Sequence, residues 1–156
     1  MANEIERDTL DITDNSEALN DNTKKFLTFL SDELYFAVDI GYVIEIITSY
    51  NITHLPRVPE YVTGIINLRG QIIPIVDIRI RTGRPLIEYT DKSCIIVLEI
   101  NSMMIGIIVD EVSHVVDVKT ENISPSPSKN KQELVNGIAR VDSTVNLILD
   151  CESLVQ

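Results

Sequence analysis

The residues able to do chemistry are few and scattered. Two histidines, His54 and His114, lie far apart in sequence, the first in a Thr-His-Leu-Pro approach and the second in a Val-rich bend. No Gly-x-Ser-x-Gly elbow accompanies them, so a general base beside a nucleophile has no local support. Asp77 and Asp110 each close an apolar run and invite a paired-carboxylate reading, but Asp at a strand end is ordinary turn chemistry. Two cysteines, Cys94 and Cys151, are too few for a disulfide framework or a zinc site, and their apolar settings suit buried, reduced thiols. The six glycines fall into no phosphate-binding pattern. The chain therefore reads as one without catalysis, metal or cofactor. The side chain with the best claim to a specific role is Arg69. Three uses are open to it: a solvated turn arginine, a bidentate partner for a neighbouring carboxylate, with Glu45 the candidate, or a contact to a protein partner.

The element that must position Arg69 lies within Leu55–Arg81, LPRVPEYVTGIINLRGQIIPIVDIRIR. Gly64–Leu68 and Gln71–Ile78 are Ile- and Val-rich runs of strand length around Arg69-Gly70. They predict a tight hairpin in which Gly70 supplies the positive φ. Pro56 and Pro59 keep the approach extended. Around this hairpin, Lys24–Leu30 and Leu34–Val38 predict a first hairpin turning at Ser31-Asp32-Glu33, and Val43–Tyr50 a further strand. Asp77–Gly83, with Arg79 and Arg81, predicts a short helical turn, and Arg84–Lys92 a linker. Ser93–Ile100 and Met103–Val109 pair around Asn101-Ser102, a bend and strand follow through Val118, and Ser124–Lys131 is loop-like. Val135–Val141 and Thr144–Leu149 form a last hairpin, and Cys151–Val155 one helical turn. The strings GIINL-RG-QIIPIVD and VLEI-NS-MMIGIIVD share a layout, with Pro74 and Gly106 interrupting the second strand of each as at bulges or close backbone approaches. Two halves of about five short strands each are expected, as small barrels packed together, with a boundary at 84–92.

Composition limits the partners. The chain has 156 residues, 44% of them hydrophobic with no Trp, and a net charge of −11. So acidic a surface repels nucleic acid and anionic lipid, so neither nucleic-acid nor direct membrane binding is expected. Residues 1–22 set seven acidic side chains against Arg7 alone and form an acidic tail expected to be disordered, ahead of a folded unit over 23–156. No basic and apolar leader is visible, and the apolar runs are too short to span a bilayer, so a soluble, cytoplasmic protein is expected. Ile40, Val43, Val112 and Val115 fall in breaks or bends; they would either line a groove between barrels, fit for a partner's amphipathic helix, or belong to the inter-barrel core.

The strings ITHLP, GIINLRGQIIPIVDIR, GIIVDEVSHVVDV and ISPSP, in this order, resemble the CheW coupling proteins of bacterial chemotaxis. The resemblance runs from Lys24 to Val155. It implies an all-β fold of two packed SH3-like five-stranded barrels with a few helical turns. It implies a non-catalytic adaptor that joins the cytoplasmic tips of transmembrane chemoreceptors to the regulatory domain of the CheA histidine kinase. By position, Ile40, Val43, Val112 and Val115 match the receptor groove. Gly64, Asn67, Leu68, Arg69 and Gly70 match the block tied to kinase coupling, and Glu45 with Arg69 matches a salt bridge. Thr82 stands where the family often has an aromatic residue, and Ser128-Lys129 where some members carry an apolar one. The competing function is a small ligand-binding barrel that keeps only the scaffold.

Overall fold

The computed structural model describes residues 22–126 and 134–155. The acidic tail as far as Asp21 and the Ser128-Lys129 position lie outside the described residues. Among the described residues eleven strands follow one another: β1 Thr23–Ser31, β2 Leu34–Asp39, β3 Val43–Ile47, β4 Val62–Leu68, β5 Gln71–Asp77, β6 Cys94–Ile100, β7 Met103–Val109, β8 Glu111–Lys119, β9 Ile123–Pro125, β10 Val135–Val141 and β11 Thr144–Leu149. Two single helical turns, α1 Ile78–Arg81 and α2 Cys151–Leu154, and two 3-10 turns complete the described residues.

Four antiparallel hairpins close through two-residue turns: Asp32-Glu33, Arg69-Gly70, Asn101-Ser102 and Asp142-Ser143. Both turn residues in each have positive φ, from 48° at Asp142 to 87° at Gly70. That twist matches the strands on either side, and short polar residues reach it at least cost.

The strands form two sheets. The six-stranded sheet has the order β8-β1-β2-β11-β10-β9, and the five-stranded sheet the order β3-β6-β7-β5-β4. Each sheet bends round until its edges meet. In the larger one, the edge strands β8 and β9 are joined by the Thr120–Asn122 turn, and β8 also lies against β10. In the smaller one, the segment after β3 reaches the free edge of β4, where Thr53 and Ile65 exchange two backbone hydrogen bonds of 2.9 Å. Closure of this kind removes the exposed edges that an open sheet would leave.

Three apolar cores result. Phe26, Ala37, Val118 and Ala139 fill the six-stranded barrel. Ile66, Ile73, Ile75, Ile95, Val97 and Ile108 fill the five-stranded one. The largest core lies between the barrels: Leu27, Phe29 and Val38 from one sheet meet Leu98, Ile100 and Ile107 from the other, and α1 and α2 add Ile78, Cys151 and Leu154. Strands β6 and β7 bury nearly every residue because one face serves the barrel interior and the other the shared core, which is why their sequences run apolar without alternation.

The expected division at 84–92 does not separate the two barrels. The segment joins α1 to β6, and β3 to β7 all belong to one sheet, while β1 and β2 pair with strands from the other end of the chain. The chain crosses between sheets elsewhere: through the Ile40–Tyr42 turn from β2 to β3, and through the single residue Asp110 from β7 to β8. The segment expected as loop over Ser124–Lys131 starts inside β9, which pairs with β10 at the sheet edge, where Pro125 needs no amide hydrogen.

Candidate functional site

The hairpin tip is built by its own residues. Asn67 turns its side chain back so that Oδ1 accepts from the Gly70 amide at 2.9 Å, which caps the turn. Gly70 has φ 87°, and a Cβ there would meet nothing within 4 Å. Arg69 then folds over the end of β3, and both arms of its guanidinium donate to Glu45: Nη1 to Oε1 at 2.7 Å and Nη2 to Oε2 at 3.1 Å. The two-pronged geometry fixes orientation as well as distance. Glu45 can meet it because β3 gains one extra residue against β6 between Val43 and Glu45. The shift leaves Ile44 exposed and brings Glu45 into register with Val97, a residue of the barrel interior. The hydrogen bond and charge of Arg69 hold the Glu45 carboxyl below the usual carboxylate range, and Glu45 in turn raises the guanidinium. Arg69 still presents 72% of its side chain to solvent, so one guanidinium face stays available.

Gly64 and Leu68 face inward. Leu68 packs half-buried on the interior core. Gly64 is buried where the barrel closes: a Cβ there would collide with the Thr53 carbonyl oxygen and come within 2.8 Å of Ile52 Cγ2. Its glycine is needed for the close approach of two backbones.

Three of the four apolar positions assigned to a groove pack on the shared core, and the fourth, Val115, stands further along β8. Ile40 and Val43 lie on the first crossing and Val112 just past the second; all three are half-buried against that core. The Ile40–Tyr42 turn touches both β1 and β6, and Asp39 caps it through a 2.9 Å bond from the Gly41 amide. Val112 pairs with Phe29 and Val115 with Leu27, two residues of the shared core, because β8 carries one extra residue between them. The bulge therefore keeps Val112 and Val115 on the same face, and Val115 is 47% exposed.

A feature that sequence reasoning did not assemble lies beside the second crossing. Arg79 grips Asp110 with Nε to Oδ1 at 3.1 Å and Nη2 to Oδ2 at 2.8 Å, and its Nη1 reaches Asp32 Oδ1 at 3.0 Å. Arg84 completes the group through Nη1 to Asp32 Oδ2 at 3.0 Å. Asp110 Oδ2 also accepts the Asp32 amide at 2.8 Å. The charges alternate and sum to zero, which lets an arginine only 11% exposed stay ionised. Asp77, the other strand-end carboxylate, serves separately: it caps α1 through the Arg79 amide and accepts the Tyr89 hydroxyl at 2.6 Å. Burial, with the hydrogen bond and charge of Asp77, raises the Tyr89 phenol well above its usual range. Thr82, in place of an aromatic, is buried and donates its hydroxyl to the Ile78 carbonyl at 2.7 Å.

The histidines and cysteines are otherwise engaged. His54 Nδ1 donates to the Thr63 carbonyl at 2.9 Å, and His114 Nδ1 shares a 2.8 Å hydrogen bond with Ser113 Oγ. Burial raises both cysteine thiols, Cys151 to about 12. Among the described residues no group of three His, Cys, Asp or Glu side chains converges as metal ligands. An open cleft of about 510 Å³ at the mouth of the larger barrel, lined in part by Lys24, Asp39, Tyr42 and Glu152, contains none of the groove or hairpin-tip candidates.

Residues 25–156 match the CheW-like domain family. The chain is 31% identical to the probable chemotaxis protein CheW of Rhizobium etli over 88% of this chain and 91% of the relative, and 30% identical to the chemotaxis protein CheW of Klebsiella aerogenes over 85% and 81%. The crystal structure of the scaffolding protein TtCheW from Thermoanaerobacter tengcongensis superimposes with a TM-score of 0.77 at 36% identity, covering 81% of this chain and 88% of that one. The all-β architecture of two closed sheets is thus that of a solved relative, and the chain belongs to the CheW family, the non-catalytic scaffold proteins of chemotaxis.

Proposed function

We propose that the protein couples chemoreceptors to the CheA histidine kinase by binding both at once on separate surfaces. The receptor's helical tip lies along Ile40, Val43, Val112 and Val115. The kinase regulatory domain meets the hairpin block Gly64, Asn67, Leu68, Arg69 and Gly70, presented by the Arg69–Glu45 clasp. A receptor state that fits one bound geometry better then shifts the kinase through the shared scaffold. The observation carrying this reading is that Ile40, Val43 and Val112, from both sheets, pack half-buried on one core, while Val115, on the same face of β8 as Val112, is left 47% exposed. An amphipathic helix is the natural partner for such a surface. Among the described residues no helix is long and apolar enough to cross a membrane, so attachment to a receptor array would rest on these protein contacts.

The test is a titration of wild type, Arg69→Ala and Val43→Asp against a receptor cytoplasmic hairpin and the CheA regulatory domain, with circular dichroism confirming each fold. Wild type should bind both, Val43→Asp should lose the receptor, and Arg69→Ala the kinase. A wild type that binds neither removes the reading.

A further inference from the structure

The geometry points to Arg79 as the residue that positions the groove: with Asp32, Asp110 and Arg84 it forms a joint that fixes the start of β8, and with it Val112, relative to the five-stranded sheet. The inference rests on the receptor-groove reading for its functional consequence, but its structural content stands on the ion cluster alone.

The chain passes between the sheets only twice among the described residues, and the candidate groove lies along both passages. Ile40 and Val43 belong to the first. The second is Asp110 alone, two residues before Val112, so whatever holds Asp110 sets where Val112 stands. Three tethers hold it. Its amide donates to Leu30 O at 2.9 Å, its Oδ2 accepts the Asp32 amide at 2.8 Å, and its carboxylate takes the Arg79 fork at 3.1 and 2.8 Å. The first two reach the β1–β2 hairpin of the six-stranded sheet. Arg79 comes from α1, directly after β5 of the five-stranded sheet, and it also spans to Asp32 at 3.0 Å. Arg79 is thus the cluster's cation common to both acids, and it joins the two sheets beside the crossing.

The shape of the side chain matters to this task. A guanidinium offers donors in fixed directions and can grip one carboxylate with two arms while a third donor reaches another; an ammonium keeps the charge without that geometry. Burial removes the competing water. Arg84 buttresses from outside, bonding the far oxygen of Asp32 at 3.0 Å. The apolar core alone is non-directional and would tolerate small slides of one sheet over the other. A directional cluster would suppress them.

The experiment measures the joint directly. Spin labels are placed on introduced cysteines at Ile46 of β3 and Ser113 of β8, both exposed, while the buried Cys94 and Cys151 stay unlabelled. Pulsed electron–electron distances are recorded for otherwise wild-type protein, Arg79→Lys and Arg84→Ala. Unlabelled versions are titrated against the receptor hairpin and the kinase regulatory domain. A narrow wild-type distribution should broaden in folded Arg79→Lys, and less in Arg84→Ala. Receptor affinity should fall several-fold while kinase affinity changes by less than twofold, a partner-selective loss that general destabilisation would not produce. Arg84→Ala carries the test if Arg79→Lys does not fold. An unchanged narrow distribution in the folded variants, or equal loss of both partners, overturns the proposal. Broadening together with no receptor binding by wild type supports the joint and removes only the groove reading.

Discussion

Replacing Gly64 with alanine should strike the barrel closure before it affects any partner. The added Cβ points at the Thr53 carbonyl oxygen and at Ile52 Cγ2, 2.8 Å away. The first is backbone, so one side chain cannot simply rotate out of the way; the Thr53 and Ile65 strands must part. Their two 2.9 Å hydrogen bonds are then stretched or lost. Two such bonds carry a net of about 1–3 kcal/mol, and forcing a methyl into a filled site costs about 1–3 kcal/mol. Relaxing one relieves the other, so the sum is about 2–4 kcal/mol, a large part of the roughly 5–15 kcal/mol typical of a whole domain. For a chain of this size that lowers Tm by about 5–12 °C. Gly70→Ala is the control: its Cβ meets nothing, and it carries only the left-handed φ, worth about 1–2 kcal/mol. Thermal and denaturant unfolding would be followed by circular dichroism, and kinase affinity measured well below each midpoint. Gly64→Ala should show the large drop in Tm and near-normal affinity once folded. A Tm within about 1 °C of wild type together with lost kinase binding would refute the closure argument and make Gly64 a contact residue.

The other expectations concern the turns, the clasp and the thiols. Ser143 has φ 69° in the last hairpin and lies away from every ion pair described, so Ser143→Gly should raise stability by about 0.5–1 kcal/mol in denaturant titrations. The Glu45 carboxyl is depressed by Arg69, so the clasp's contribution is fully present above the unfolded-state pKa of Glu45 and fades as pH falls through the folded one. Denaturation midpoints of wild type and Arg69→Ala should therefore differ near neutral pH and converge in acid; a difference that persists at low pH contradicts the assignment. Cys94 and Cys151 are buried with raised thiols, so a disulfide-exchange reagent at pH 8 should titrate neither thiol until denaturant is added.

Local structure was legible where two neighbours decide it. Arg69-Gly70, Asn101-Ser102 and Asp142-Ser143 are polar pairs between apolar runs, and each became a two-residue turn. The Glu45–Arg69 clasp was legible as one of three candidates because a guanidinium at a tip can take a carboxylate bidentately from a nearby strand. Strand order was not. Composition at 84–92 changes as a linker's does, yet the second sheet switch happens at Asp110, where the sequence shows only the end of an apolar run and a bend. Nor do the register shifts mark themselves: in the five-stranded sheet they fall at Val62–Gly64 and Val43–Glu45, while Pro74 simply pairs with Ile65 on the exposed face. Gly106 is a close approach, since a Cβ there would lie 2.6 Å from Ile75 Cδ1. The Arg79 cluster joins four residues from three distant segments, and no local pattern announces such a meeting.

These placements divide the hairpin block that the family resemblance ties to the kinase. Gly64 is occupied by barrel closure, Asn67 by the turn cap, Gly70 by the positive φ, and Leu68 by the interior core. Arg69 alone combines a fixed orientation with a largely exposed side chain. If the block acts on the kinase, four of its members act through shape and one through contact. A double-mutant cycle separates the two: Arg69→Ala should couple strongly to a carboxylate or aromatic substitution on the kinase surface. Asn67→Ala should weaken binding additively with the same change, because it loosens the tip without removing a contact. Strong coupling at Asn67 would reverse the assignment and make its side chain the recognised group.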